Sequence, residues 1–347
     1  MRALVKPAPG PGMVVREVPV PAIGSQDVLI RVHYAGVCGT DLHIWEWDSW
    51  ASNRLRPPLT IGHEFAGVIE SMGPEAAAEG LLRVGDLVTA EGHIICGHCI
   101  PCRTGNGHLC TRTKIIGVDR DGAFADYISM PASNVMRLDG IPLEIGAIMD
   151  PIGNAVHTVL EGTHVPGSTV LVLGCGPIGC FAVGVARAAG ASLVLASDLN
   201  PKRLELARAM GAHVLLNATT DDVVARVREA TGGDGVDLVC EMSGHPAGHA
   251  QAFAAARVGG RVNLLGTPSR TTEVNFARDI IFKGLTLYGV TGRRMYDTWI
   301  AMQRFLKNGQ LDPRPVVTHR FPLEQIEDAI AVIKGGEAGK VILEIGA

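Results

Sequence analysis

Residues 169–186 read TVLVLGCGPIGCFAVGVA, and this stretch decides the fold of the chain. It opens with an apolar run, residues 170–173, that predicts a strand buried on both faces. Gly174, Gly176 and Gly179 follow at G-x-G-x-x-G spacing, and an alanine-rich helix comes next. Between a strand and a helix these glycines serve a tight turn, close approach to a pyrophosphate and helix–strand packing. The stretch therefore predicts a dinucleotide-binding turn, with the phosphates at the helix N-terminus.

A carboxylate ends the next predicted strand, residues 193–197. Asp198 stands 19 residues after Gly179. A carboxylate at this place can accept both ribose hydroxyls of an adenosine and repels a 2′-phosphate, which favours NAD over NADP. The helix that follows is bounded by Asn200 as N-cap, Pro201 in the first turn and Gly211 as its stop.

The composition is typical of a soluble globular protein, with 47% hydrophobic and 19% charged residues and a net charge of −4. The 347 residues are enough for about two domains. No basic run interleaved with aromatic residues suggests nucleic acid as a partner. Residues 165–186 hold no acid or base, but their glycines and prolines disfavour a membrane span. No secretory signal is visible at the first residues, so we expect the eight cysteines to be reduced, in the cytoplasm.

The chain divides into three stretches. Residues 1–155 alternate apolar and polar positions between Gly/Pro-rich turns, which predicts a β-rich domain. Residues 156–292 repeat strand–helix units, with further strands predicted at 236–241, 261–266 and 285–290. That alternation predicts an α/β fold with a doubly wound parallel sheet. Residues 293–347 carry two predicted helices, 296–306 and 323–334, and a last strand, 340–345, which we expect to return to the first domain.

A group of four cysteines has the spacing C-x2-C-x2-C-x7-C: Cys96, Cys99, Cys102 and Cys110. Four thiolates at this density match a closed tetrahedral zinc site. Such a site leaves no position for a substrate, so its role is to hold a loop. An iron–sulfur cluster and two disulfides are the alternatives, and structural zinc is the prediction.

A second metal site is suggested by Cys38, in the segment GVCGTD, and by His63 and Glu64, in the segment IGHEF. Alone, each is ambiguous, because a single cysteine is usually a small core residue. Together, a sulfur, a nitrogen and an oxygen ligand would leave room for a substrate oxygen, as a catalytic zinc requires. Spacing alone leaves both interpretations open.

The order of these motifs resembles that of the zinc-dependent medium-chain alcohol dehydrogenases, over essentially the whole chain. The matching motifs are C-G-T-D-x-H from residue 38, G-H-E from residue 62, the four-cysteine loop and the glycine turn. Three segments look like the threonine-oxidising members: CGTDLHIWEWDSW (38–50), EGHIICGHC (91–99) and DPIGNAVHT (150–158). The resemblance implies a GroES-like catalytic domain at 1–155, completed by 293–347, and a Rossmann NAD-binding domain at 156–292. It also implies two zinc ions per subunit and a homotetramer.

The resemblance assigns the catalytic zinc to Cys38, His63 and Glu64. Many relatives have a cysteine or glutamate ligand where this chain has Asp150. Because aspartate is shorter than glutamate, we expect Asp150 to reach the zinc only through water. The resemblance to the threonine-oxidising members implies that this residue belongs to a water network around the substrate. Thr40 and His43 resemble a proton relay, in which the threonine hydroxyl passes the alcohol proton toward the ribose and the imidazole delivers it to solvent. Taken alone, His43 would be a surface histidine.

The resemblance also adds residues to the cofactor site: Ile178, Arg203, Leu265, Gly266, Thr267, Val290 and Thr291. Arg203 could otherwise be an ordinary exposed helix residue. The implied reaction is the NAD-dependent oxidation of the C3 hydroxyl of L-threonine to 2-amino-3-oxobutanoate. Candidate partners for the substrate ammonium and carboxylate groups are Asp150, Asn154, Glu91 and His93.

Two alternatives to this function remain at this stage. A polyol- or butanediol-type zinc dehydrogenase would share the fold and both metals, and a non-catalytic NAD-binding protein would share the fold alone. The tryptophans at 45, 47 and 50 would wall the pocket, form a subunit contact or pack in the core.

Overall fold

The boundary between the two structural units falls at Asp150 and again at Val316. In the computed structural model, which describes residues 1–162, 164–268 and 270–346, one unit comprises Met1–Asp150 and Val317–Ala347 and the other Pro151–Val316. The sequence predicts these boundaries at 155 and 292 instead. The second differs because the amphipathic helix after residue 292 stays with the second unit, and periodicity does not show which sheet a helix covers.

The first unit begins with short strands and helices. Its strands before the first boundary are β1 (Arg2–Lys6), β2 (Val14–Glu17), β3 (Asp27–Val37), β4 (Leu59–Thr60), β5 (Glu64–Met72), β6 (Leu87–Ala90), β7 (His93–Ile94), β8 (Lys114–Ile115), β9 (Tyr127–Pro131) and β10 (Val135–Arg137). Its helices there are α1 (Gly39–Glu46), α2 (Ser49–Arg54), α3 (Pro74–Ala78), α4 (Ile100–Arg103) and α5 (Leu143–Gly146). Helix α6 (Met149–Leu160) contains the boundary.

The second unit alternates strands and helices. The strands are β11 (Thr169–Leu173), β12 (Leu193–Asp198), β13 (Val214–Asn217), β14 (Val236–Glu241), β15 (Ala256–Leu264) and β16 (Thr286–Gly289). The helices are α7 (Pro177–Ala188), α8 (Pro201–Ala209), α9 (Val223–Ala230), α10 (Pro246–Ala255) and α11 (Asp297–Lys307). Beyond the second boundary follow β17 (Val317–Pro322), α12 (Ile326–Lys334) and β18 (Lys340–Glu344), which belong to the first unit.

A seven-stranded sheet organises the first unit. Its strand order is β10-β6-β5-β3-β18-β17, and β9 also pairs with β3. The C-terminal strand β18 runs antiparallel to β3, with Val341 opposite Val37. Leu323, Ile330 and Val341 are buried in the same core as residues of β3 and β5. The chain therefore returns to the first unit because its last strand and helix complete that core.

The second unit contains a six-stranded sheet in the order β13-β12-β11-β14-β15-β16, and all its pairs are parallel. The side chains of residues 170–173 in β11 are at most 2% exposed, as expected for a strand covered on both faces. The strand order reverses at β11, and in such sheets dinucleotides bind at that reversal, outside the carboxyl ends of the strands. The doubly wound parallel sheet predicted from the sequence is confirmed.

Strand β15 differs from the prediction because it begins at Ala256 and not at residue 261. Its pairing with β14 passes from Val236–Ala256 to Leu238–Arg261, so the residues between them bulge out of the ladder. Gly259 takes a φ of +70° inside that bulge. Within the residues that the structure describes, no helix is long and apolar enough to cross a membrane.

Candidate active site and zinc-binding loop

The four cysteines of the predicted structural zinc site, in the first unit, lie close together. The ligand atoms of Cys96, Cys99, Cys102 and Cys110 all lie within 4.8 Å of one another. The Sγ atoms of Cys99 and Cys102 are 3.4 Å apart, and those of Cys110 and Cys96 are 3.6 Å apart. Sulfur atoms around a tetrahedral zinc ion are separated by about 3.8 Å, so the four thiols fit such an ion.

The surroundings of these thiols in the loop shift their pKa values in opposite directions. Hydrogen bonds from the backbone N–H groups of His98 and Cys99 lower the pKa of Cys96 to about 5. Burial raises the pKa of Cys102 to about 12. Because the thiolate is the form that binds metals, holding all four as ligands requires a cation among them.

We expect Cys99→Ser to remove one zinc ion per chain without emptying the other site. The backbone hydrogen bonds described for residues 99–110 join residues of the loop to one another, so without the metal trypsin should cut quickly at the exposed Arg103. Zinc analysis by atomic emission and a timed digest measure both effects. Cys240→Ala, at a buried cysteine of β14, is the control and should keep both ions. A Cys99→Ser protein that retains its full zinc content would contradict the assignment.

A second group of metal-binding side chains lies at the start of α1. Cys38 is the N-cap of this helix, and its Sγ accepts a hydrogen bond from the backbone N–H of Thr40. The helix geometry turns Cys38 toward His63, whose Nε2 lies 3.2 Å from Sγ. Asp41 completes a group whose ligand atoms all lie within 4.8 Å of one another. A thiol, an imidazole and a carboxylate at this spacing fit one zinc ion and leave a coordination position open.

Buried charges shift the pKa values in this group. Burial alone lowers the pKa of His63, but the charges of Cys38, Asp41 and Asp150 outweigh it and raise this pKa well above the ordinary value. Burial raises the pKa of Asp41. The Asp150 carboxyl is 7% exposed, and its charge raises the pKa of both His63 and Glu64. Such a concentration of acidic groups and an imidazole favours a bound cation.

Glu64 is not part of that group. Its Oε2 lies 2.5 Å from Nζ of Lys340, and both side chains are 2% exposed. Nζ of Lys340 also donates to the carbonyl of Val37, at 2.7 Å. Burial raises the pKa of Glu64 to about 7, although the nearby ammonium opposes that rise. The structure thus brings Cys38 and His63 together as predicted and places Glu64 in a buried ion pair.

The glycine turn of the second unit has the local geometry that its motif predicts. Gly174 takes a φ of +90°, and a side chain there would meet the backbone of Ser243. Gly176 is the N-cap of α7, and among the described residues no atom lies within 4 Å of where its Cβ would be, so the space above it is open. A Cβ on Gly179 would overlap the carbonyl oxygen of Gly174. These are the turn, the phosphate approach and the helix–strand contact, in that order.

The matches to family models cover most of both units. Residues 24–140 match the model "Alcohol dehydrogenase GroES-like domain", and residues 177–308 match "Zinc-binding dehydrogenase". The chain belongs to the zinc-binding dehydrogenases. The fold and the GroES-like and NAD-binding domains predicted from the resemblance are confirmed.

Several relatives that match this zinc-binding dehydrogenase over nearly its full length are named L-threonine 3-dehydrogenase. It is 49% identical to the L-threonine 3-dehydrogenase of Symbiobacterium thermophilum, over 99% of this chain and 97% of that one. It is 47% identical to the enzyme of that name from Bacillus subtilis, over 99% and 98% of the two chains. Among solved structures, an alcohol dehydrogenase from Thermus sp. ATN1 is 33% identical with a TM-score of 0.89, covering 99% of this chain and 100% of that one. A 2R,3R-butanediol dehydrogenase from Bacillus subtilis is 28% identical, with a TM-score of 0.89 and 99% of each chain covered.

The predicted relay residues of this dehydrogenase lie on α1. Thr40 is half-buried beside Cys38, and His43 is exposed one turn later. Nδ1 of His43 is 2.6 Å from the carboxylate of Asp48, which also caps α2. The ring of Trp50 lies 6.0 Å from that of His43, whereas Trp45 and Trp47 pack against the core of the first unit.

Asp198, at the end of β12, contacts the backbone of the glycine turn, and Arg203 lies on the helix α8 that follows. The Asp198 carboxylate accepts hydrogen bonds from the backbone N–H groups of Cys175 and Asn200, at 2.7 and 2.8 Å. Each of its oxygens retains a lone pair with which a ribose hydroxyl could bond. Arg203 is half-buried, not fully exposed, and its Nε has no hydrogen-bond partner among the described residues. Ile178 is the second residue of α7, directly above the turn.

The remaining predicted cofactor residues follow two strands. Leu265, Gly266 and Thr267 come directly after β15, and the N–H of Val290 bonds to the carbonyl of Leu264 at the end of that strand. Thr291 is exposed beside Val290. Carboxyl ends of parallel strands are where such sheets bind ligands.

Sequence reasoning missed two residues of the first unit. Asp41 accepts from the backbone N–H of Cys38, so that Cys38 and Asp41 form a capping box at the start of α1. The C-G-T-D spacing carries that signal, since N-cap and N3 residues pair in this way. Lys340 left no local signal, because its partner Glu64 lies far away in the sequence.

Proposed function

We propose that this zinc-binding dehydrogenase oxidises the C3 hydroxyl of L-threonine to 2-amino-3-oxobutanoate with NAD. The observation that carries the proposal is the 3.2 Å approach of Cys38 Sγ and His63 Nε2, beside buried carboxyl groups. The full-length likeness to relatives named L-threonine 3-dehydrogenase supports the choice of substrate.

We propose Cys38, His63 and Glu64 as ligands of the catalytic zinc. The ion pair with Lys340 uses Oε2 of Glu64, so Oε1 is the atom that would serve as ligand. Asp41 positions Cys38 by accepting a hydrogen bond from the backbone N–H of Cys38. We propose that Asp150 contacts water and the substrate and does not bind the zinc directly. A zinc ion held by these residues would supply a Lewis acid, which would lower the pKa of the substrate hydroxyl.

The proton of that hydroxyl leaves through side chains of α1. Thr40 lies beside Cys38 and relays the proton through Oγ1. Asp48 holds the ring of His43 through Nδ1, so Nε2 is the nitrogen that takes up the proton and releases it to solvent. The side chain of His43 is 56% exposed, which suits that last step.

The charged groups of an amino acid need partners of opposite charge. We propose Asp150 and Asn154, one turn apart on α6, for the ammonium group. His93 is our candidate for the carboxylate, since Glu91 fixes its ring by accepting at Nδ1, at 2.7 Å. Glu91 itself is fully buried and positions that histidine.

NAD is held, in this proposal, by the glycine turn with Ile178, by Asp198 and Arg203 at the adenosine ribose, and by the segments after β15 and β16 at the nicotinamide. These last segments contain Leu265, Gly266, Thr267, Val290 and Thr291. These residues would hold NAD, which would supply the hydride acceptor, and they would align its reacting carbon with C3 of the substrate.

We also propose that the protein is a cytoplasmic homotetramer. The family resemblance supports the tetramer. The eight free cysteines, half of them in the zinc loop, support a reducing compartment. Light scattering of the purified protein tests the oligomeric state.

A substrate panel tests the proposed function. Initial rates of NAD reduction should give a kcat/KM for L-threonine that exceeds those for sorbitol and 2,3-butanediol by about 10²–10⁴, because those alcohols leave buried polar partners unpaired. L-serine, a primary alcohol with the same charged groups, separates recognition of the amino acid from that of the C3 methyl group. A preference for sorbitol or butanediol would establish the polyol-type alternative. Zinc-loaded protein without turnover on any of them would favour a non-catalytic NAD-binding protein.

A further inference from the structure

A fully buried acid, Glu241, ends the strand β14 in the second unit. Its Oε1 accepts a hydrogen bond from the backbone N–H of Ser243, at 3.0 Å, and another from the Ser243 hydroxyl. Its Oε2 accepts from the N–H of Gly244, at 3.2 Å, and lies 3.6 Å from Nε2 of His249. The carboxylate thus accepts from the turn that follows β14 and also lies near His249 on helix α10.

The backbone of the same residue holds a second segment. The N–H groups of Leu265 and Gly266 both donate to the carbonyl of Glu241, at 3.0 Å. A Cβ on Gly266 would come within 2.5 Å of Oε2, so the segment after β15 packs directly on the carboxylate. Gly244 in turn packs against the backbone of Thr267. One residue therefore fixes both the segment 242–244 and the segment 265–267.

These two segments adjoin the glycine turn. In the parallel register of the sheet, Leu173 lies opposite Glu241, and the N–H of Met242 donates to the carbonyl of Leu173. The backbone of Ser243 lies against Gly174. Segments at the carboxyl ends of β11, β14 and β15 meet at the edge where parallel sheets bind dinucleotides.

We propose that Glu241 is a positioning residue for NAD, which sets the segment 265–267 so that Leu265 and Thr267 meet the nicotinamide half. This inference rests on the proposed function, which assigns that half of the cofactor to these residues. An ionised carboxylate only accepts hydrogen bonds, and every polar neighbour described above can donate one. In Glu241→Gln, the amide NH2 group would face a group that is itself a donor. The other hydrogen bonds to this side chain would weaken because the acceptor would carry no negative charge. The glycine turn, which is proposed to bind the adenosine and pyrophosphate end, touches Ser243, but the hydrogen bonds described for it go to Ser197 and Asp198 and not to this carboxylate.

Binding of NADH and of ADP-ribose distinguishes an effect on the nicotinamide half of the cofactor from an effect on the adenosine half. For Glu241→Gln we expect the Kd of NADH, followed by its fluorescence on the zinc-loaded protein, to rise about tenfold. The Kd of ADP-ribose, which lacks the nicotinamide, should stay within about threefold of the wild-type value. The matched control is Asp237→Asn on the same strand. Asp237 accepts from Thr169 and Arg257 near the opposite end of β14, so its loss should not separate the two ligands.

Equal Kd changes for both ligands in Glu241→Gln, or no change for either, would overturn the inference. If that variant does not fold, Ser243→Ala removes one donor alone and should weaken NADH selectively, by a smaller factor. An unselective or absent effect there would overturn the inference as well. A wild-type protein that binds ADP-ribose but not NADH would instead refute the cofactor assignment, and the inference with it.

Discussion

Replacement of Cys38 by serine will remove one zinc ion per chain and lower kcat for L-threonine by about 10³-fold or more. In the proposed site the thiolate is the strongest ligand, and the Lewis acid that it would hold contributes several kcal/mol to transition-state stabilisation. Each 1.36 kcal/mol corresponds to about a tenfold change in rate, which sets the size of the effect. Zinc analysis and initial rates on the same preparation measure it.

Two controls accompany this variant. Cys240→Ala removes a fully buried thiol of β14, which belongs to neither group of metal-binding side chains, and it should leave the zinc content unchanged and the rate within about threefold. The melting temperature of Cys38→Ser shows whether the first unit is still folded. A folded variant that has lost one ion and still oxidises L-threonine at the wild-type rate would refute the role of this site.

Lys340→Met will lower the free energy of unfolding by about 3–5 kcal/mol, as expected when one partner of a buried ion pair is removed. The Lys340 and Glu64 side chains are each 2% exposed, so the carboxylate would be left without compensation. Urea unfolding of the zinc-free protein, in which no metal ion neutralises Glu64, gives the difference when followed by circular dichroism. The double variant Lys340→Met with Glu64→Gln should recover a large part of the loss, since the uncompensated charge is gone.

An exposed ion pair serves as the comparison. Arg31 and Glu70, on β3 and β5 of the same sheet, are 45% and 47% exposed. Arg31→Met should therefore change the free energy of unfolding by less than about 1 kcal/mol. If Lys340→Met were no more destabilising than Arg31→Met, the pair seen here would not be a structural element of the folded protein.

The second unit could be predicted in most of its detail. Its strands are apolar runs. The turn between β11 and α7 contains glycines at positions where a side chain would clash with neighbouring backbone, and their spacing can be recognised in the sequence. Asn200 and Pro201 do begin α8, and Gly211 follows its end with a φ of +100°. What escaped prediction was the bulge at the start of β15, because a strand pattern does not show which residues leave the ladder.

The metal centre of the first unit was harder to predict for a reason of geometry. His63 and Glu64 are neighbours in the sequence, but His63 lies just before β5, whereas Glu64 is the first residue of that strand. His63 contacts Cys38, and Oε2 of Glu64 pairs with Lys340 on β18. Contacts made by the returning C-terminal strand leave no trace in local spacing, whereas the four cysteines of the zinc loop lie close enough in sequence to be recognised.

The most direct test of the proposed chemistry follows the hydrogen atom at C3. L-threonine carrying deuterium at C3 should transfer that deuterium to NAD, so that mass spectrometry finds one deuterium in each NADH formed. The rate should also fall when the C–D bond must break, if hydride transfer limits turnover. NADH without deuterium, with the label found in the solvent, would contradict direct hydride transfer from the carbinol carbon.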